Sequence, residues 1–88
     1  MQVIMKAIDM VAWFTREGIP HPVRYKIGDN EEAQVVKIEH ILFRSEERLA
    51  GNKMLLFRCQ GIINNTLKEF DLKYELQTCK WYLWKMQG

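Results

Sequence analysis

Glu69-Phe70-Asp71-Leu72-Lys73-Tyr74-Glu75-Leu76-Gln77 decides the fold, because apolar Phe70, Leu72, Tyr74 and Leu76 alternate strictly with charged or polar neighbours. A period of two over such a length places the apolar groups on one face of an extended chain and the charges on the other. The stretch is therefore a strand with one face against a core. Working outward, Val23, Tyr25 and Ile27 alternate with Arg24 and Lys26 in the same way. Leu55, Phe57 and Cys59 alternate with Arg58 and Gln60. Val36, Ile38 and Leu42 alternate with Lys37 and Glu39, but Ile41 and Phe43 fall out of phase, which predicts a bulge near His40. The closing run Trp81-Tyr82-Leu83-Trp84-Lys85-Met86 is apolar or aromatic on both faces, so something must cover each side.

Turn-forming residues punctuate the chain at Arg16 to Pro20, Gly28 to Asn30, Ala50 to Asn52, Gly61 to Asn65 and around Thr78 to Lys80. Intervals of about ten residues between such signals are the rhythm of a small all-β meander. The N-terminal segment is open to two readings. Ile4, Ile8, Val11 and Ala12, with Gly18 as a cap, fit a helix, whereas Ile8, Met10, Ala12 and Phe14 fit a strand leading into a hairpin at Gly18. The β-prone Val11, Trp13 and Phe14 favour the strand. Arg44 to Ala50 fits either a short helix or an extended loop, with balanced charges. The expectation is an all-β chain of about six antiparallel strands curled into a small SH3-like or split barrel.

The chain has 88 residues, enough for one core, so residues 1–88 are expected to form a single domain. Thirteen Lys and Arg against eleven Asp and Glu leave a formal charge of +2, well short of a chain built to coat nucleic acid. The longest apolar runs, such as Met54 to Phe57, are far below the roughly 20 residues of a spanning helix, so no membrane partner is expected. The first residues lack a basic stretch ahead of an apolar one and include Asp9, which suggests a cytoplasmic location. Cys59 and Cys79 are expected to be free thiols there, and with no C-x-x-C pair they form neither a zinc knuckle nor a redox motif.

Candidate chemistry is sparse. If residues 28 to 33 connect two paired strands, His21 falls opposite His40, and such a pair could hold a metal. Cys59 and Cys79 are the only further soft ligands, but a turn at Asn64-Asn65 sets Cys59 near Phe70 and leaves Cys79 roughly 30 Å along the next strand. Metal and cofactors are therefore not expected. Glu69, Asp71 and Glu75 share a strand face with Lys73 and read as a solvated surface, and Asp29-Asn30-Glu31-Glu32 lacks the ligand spacing of a calcium loop. No phosphate loop, nucleophile elbow or zinc-protease motif occurs, so no catalytic residues are assigned and an enzyme is not expected.

Trp13-Phe14, Gly18, Pro20, Pro22-Val23-Arg24-Tyr25, Val36, Gly51, Phe57 and the closing Lys80-Trp81-Tyr82-Leu83 together resemble a loose set of small uncharacterised bacterial β-barrel proteins. In that set a short P-x-R-[FY] strand precedes a valine-rich strand and a terminal W-x-L strand. The sequence departs from it at Gly28 to Ala33, which stands where a tight Gly-Arg turn is usual. The resemblance implies a barrel and no chemistry.

The C-terminal strand carries the functional expectation. Its two-sided apolarity in so short a chain points to a non-enzymatic interaction module, a homodimer or the binder of an unknown protein partner, with the aromatic strand as interface. The alternative is a barrel that binds single-stranded nucleic acid. There Trp81, Tyr82 or Trp84 would stack on bases, and Arg24, Lys26, Arg58, Lys80 and Lys85 would hold phosphates.

Overall fold

The computed structural model describes residues 1–88. Seven strands run along the chain: β1 (Gln2–Phe14), β2 (Pro20–Ile27), β3 (Gln34–Lys37), β4 (His40–Leu49), β5 (Asn52–Ile63), β6 (Thr66–Glu75) and β7 (Lys80–Met86). The one helical turn, Asn30–Glu32, is of the 3-10 type and lies between β2 and β3. All neighbours are antiparallel in the order β3-β2-β1-β7-β6-β5-β4, and the sheet curls into a half-barrel. No helix is long and apolar enough to cross a membrane. The N-terminal segment is a strand from end to end, as its β-prone residues favour, so the helical alternative falls away.

Local chemistry sets the hairpins. Asn64 and Asn65, both with positive φ, make a two-residue turn that locks Ile63 opposite Thr66 and brings Cys59 opposite Phe70. Ala50 (φ 52°) and Gly51 (φ 81°) do the same between β4 and β5, locking Leu49 opposite Asn52. Arg44 to Leu49 are therefore neither helix nor loop, because this turn lets the strand run on to Leu49.

The seventh strand arises at Ile38-Glu39, where the stretch read as one strand divides into β3 and β4. Lys37 pairs with Arg24 of β2, whereas His40 pairs with Gln60 of β5. Between them Ile38 N–H donates to the Val23 carbonyl (2.9 Å) and Glu39 N–H to the Gln60 carbonyl (2.8 Å), so the chain passes from one edge of the sheet to the other. The expected bulge exists, between Ile41 and Phe43. Gly61 permits the crossing: a Cβ there would lie 2.5 Å from the Lys37 carbonyl oxygen.

The core fills the concave face. Tyr25, Val36, Phe57, Cys59, Ile63, Phe70, Leu72, Tyr74, Trp81 and Leu83 form one buried cluster, with Ile4, Ile8, Met10 and Ile41 packed against its margins. The Tyr25 ring meets Phe70 edge-on at 5.4 Å, and Trp81 lies between Phe57 (5.5 Å) and Tyr74 (4.8 Å). The alternation read at Phe70, Leu72 and Tyr74 is thus the floor of the core.

Candidate interaction surface

β7 is the middle strand of the sheet, paired with β1 on one side and β6 on the other, so its backbone is spent. Its side chains divide between the two faces. Trp81 and Leu83 point into the core and are buried, while Tyr82, Trp84 and Lys85 are half-buried on the convex face. Trp81 is therefore not an accessible stacking ring. A register shift between Asp71 and Leu72 against β7 places Trp84 where β6 offers no direct partner, over Lys73.

That convex face is not the solvated surface expected of Glu69, Asp71, Lys73 and Glu75. Asp71 and Lys73 are buried, because residues on neighbouring strands close over them. Arg58 of β5 grips Asp71 with two parallel bonds, Nε to Oδ1 at 2.8 Å and Nη2 to Oδ2 at 3.0 Å, and Lys85 stands opposite Asp71 on the other side. Hydrogen bonding to Asp71, then its charge, raises the Arg58 guanidinium further above its ordinary value. Lys73 donates to Glu47 Oε1 at 2.8 Å, and its Nζ lies 3.6 Å from the centroid of the Trp84 ring. Lys85 Nζ lies 4.2 Å from the same centroid, and Arg58 sits 5.2 Å from the Phe43 ring. The closing strand is thus covered by the core inside, while outside Lys73, held by Glu47, and Lys85 flank the Trp84 ring and Tyr82 stays half-exposed.

The remaining bases do not converge with this group. Arg24 and Lys26 lie on β2, beyond β1, where Lys26 pairs with Asp9 at 3.5 Å. Lys80 begins β7 opposite Glu75, whose carboxyl is held below its ordinary value first by Thr78, then by Asn52, then by the Lys80 charge. His21 and His40 do not face one another. The β2–β3 pairing has the expected register, Arg24 opposite Lys37, but ends before reaching them. His21 instead stacks on the half-exposed Trp13 at 4.6 Å, and His40 pairs across to Gln60. Cys59 is buried and Cys79 exposed, with no disulfide, and no cluster of three His, Cys, Asp or Glu side chains has metal-holding geometry.

One concavity is mainly apolar. Beyond Ile8, β1 parts from β7 and leaves a cleft of about 750 Å³ lined by Met10, Ala12, Phe14, Tyr74 and Trp81. Contact with Cys79, then burial, raises the Tyr74 phenol above its ordinary value.

Sequence reasoning missed the other prominent surface, the outer edge of β4. Ten residues long, this strand pairs only with β5, and all of its residues except Ile41 and Glu47 are exposed. The signal was present as Arg44, Glu46 and Arg48, charges alternating in sign at every second position. No family model, curated protein or solved structure matches the chain.

Proposed function

We propose that the chain is a non-enzymatic interaction module that associates with a second copy of itself in a reducing, cytoplasmic setting. One observation carries the reading. Fourteen large apolar side chains stand exposed, against ten apolar residues in the core. Scattered exposed leucines mean little, but eight of these lie on two strands: Leu42, Phe43 and Leu49 on β4, and Val3, Met5, Val11, Trp13 and Phe14 on β1. Surfaces of that kind are what a protein partner covers.

The convex face favours protein over nucleic acid. Arg58 is tied to Asp71 and Lys73 to Glu47, so a phosphate would have to displace a carboxylate already in place. Both thiols are unpaired and Cys79 is exposed, which suits a reducing compartment. The single-strand reading retains one foothold at Trp13, which is exposed, stacked on His21 and near Arg24, a base without an ion pair.

Light scattering at micromolar concentration, run beside tryptophan fluorescence during titration with short single-stranded DNA and RNA, tests the proposal. A dimer mass with no quenching is expected. A monomer whose fluorescence is quenched at low salt and recovers at high salt would transfer the function to nucleic acid and to Trp13.

A further inference from the structure

We infer that two copies join edge to edge through β4, antiparallel about a two-fold axis through Ser45, into one continuous sheet. The inference rests on the self-association proposed above and gives it a surface and a register.

The backbone fixes which groups are available. Leu49 and Asn52 flank the two-residue Ala50-Gly51 turn and so form a hydrogen-bonded pair, which makes Glu47 and Ser45 the next residues to bond β5. Arg48, Glu46 and Arg44 therefore point their N–H and C=O groups away from β5, along the open edge. This stretch pairs with no strand but β5, and Arg44, Ser45 and Glu46 face Gly18, Ile19 and Pro20 across a cleft of about 370 Å³. An unpaired edge of this length invites another strand.

Charge selects the occupant and the register. A two-fold axis perpendicular to a sheet keeps each face on its own side, so it must pass through a residue rather than between two. Through Ser45 it sets Arg44 opposite Glu46 of the second copy and Glu46 opposite its Arg44. Both are pairs whose backbone groups are the free ones, so opposite charges and main-chain bonds coincide, and Glu46, already 3.2 Å from Lys53 of its own chain, is exposed enough to meet Arg44 of the second copy as well. Ser45, small and uncharged, meets itself at the closest point. Through Glu46, by contrast, the axis sets that acid against itself and Arg44 against Arg48. Through Arg44 it opposes two arginines; through Glu47 it opposes two glutamates and, although Glu46 then meets Arg48, it runs Arg44 against turn residue Ala50 and shortens the ladder. Edges protected from pairing carry lysine or proline. β4 has neither, and its bulge lies at Ile41 to Phe43, outside the Arg44–Glu46 pairs. Its charges Arg44, Glu46 and Arg48 alternate in sign, so they repel a random edge but complement a second copy in the Ser45 register, where exposed Leu42, Phe43 and Leu49 add apolar surface.

Charge reversal tests the register directly. Arg44→Glu alone and Glu46→Arg alone each place like charges opposite one another at both pairs, and each is expected to be monomeric at a concentration where the wild type is dimeric. The double variant Arg44→Glu/Glu46→Arg restores opposite charges and is expected to dimerise again. An equimolar mixture of the two single variants is expected to form a mixed dimer, since every acid then faces a base, and this rescue also shows that both variants fold. In a Cys79→Ser background, Ser45→Cys is expected to yield a covalent dimer on mild oxidation, because the non-hydrogen-bonded self-pair brings the two Cβ atoms within disulfide reach. A wild-type dimer indifferent to the reversals and uncrosslinked at Ser45→Cys would overturn the β4 join while leaving self-association intact. A wild-type monomer would overturn both.

Discussion

Cys59 lies on β5 between Phe57 and Gly61, wholly enclosed, and burial, followed by the charge of Asp71, pushes its thiol from the ordinary 9.0 up to about 12. The unfolded chain releases this proton near 9.0, whereas the folded chain holds it to about 12, so over that window the folded state binds more protons. Stability is therefore complete below 9.0 and falls as the pH rises toward 12, with a limiting slope of about 1.4 kcal/mol per pH unit for one such group. Tyr25, whose phenol burial also raises and whose hydroxyl meets no hydrogen-bond partner, acts in the same direction from its ordinary 10.0 upward. In urea titrations the midpoint should be steady just below pH 9.0 and fall above it, and Cys59→Ala, whatever its own stability, should fall less steeply. Equal slopes would mean the thiol is not enclosed. This enclosure was half legible: alternation around Phe57 and Phe70 placed Cys59 on an inward face. Nothing in the pattern revealed that Asp71 and Lys73, on the outward face of β6, are also buried. Their cover comes from Arg58, Trp84 and Glu47 on three other strands, and only the register between strands brings those side chains over them.

At the level of elements, the alternation rule found β2, β5 and β6 and favoured a strand for β1, but it left the second half of β4 unread and failed where one strand changes neighbours. From Val36 to Phe43 the side-chain pattern continues, with only a slip of phase, while the backbone leaves β2 for β5 at Ile38-Glu39. Side-chain periodicity reports which face is buried and says nothing of which strand lies alongside. The partner exchange depends on Gly61, where an added methyl group would meet the Lys37 carbonyl oxygen at 2.5 Å and Phe70 Cε2 at 3.2 Å. Gly61→Ala must therefore lift the end of β3 from β5 or displace Phe70, and it is expected to destabilise the fold by roughly 1–3 kcal/mol. Hydrogen exchange locates the damage. The Glu39 amide, bonded to the Gln60 carbonyl at 2.8 Å, should exchange faster in the variant, while amides at the Asn64-Asn65 hairpin keep their protection. An unchanged midpoint with an unchanged Glu39 amide would show that the crossing is not seated on Gly61.

For the molecule as a whole, fifteen buried residues of 88 make a small core, and a half-barrel leaves β3 and β4 as open edges that a closed barrel would pair. A chain with so little interior gains much from anything that binds its folded state, and a second copy is such a ligand. The β1–β7 pairing sets the geometry of this gain. Because the first and last strands meet mid-sheet, the aromatic β7 that drew attention in the sequence is internal, and the open edge falls instead to β4, halfway along the chain. If folding and association are linked, the thermal midpoint must rise with protein concentration. A tenfold increase contributes about 1.4 kcal/mol per dimer, half of it to each copy, which for a domain of this size moves the midpoint by about 4 °C. Differential scanning fluorimetry across a tenfold dilution series reads this shift. Arg44→Glu, which sets like charges against each other at the two-fold axis, should abolish it and bring the midpoint to the value the wild type approaches on dilution. A wild-type midpoint that ignores concentration would mean that one copy, with its small core and open edges, already carries the whole of the stability.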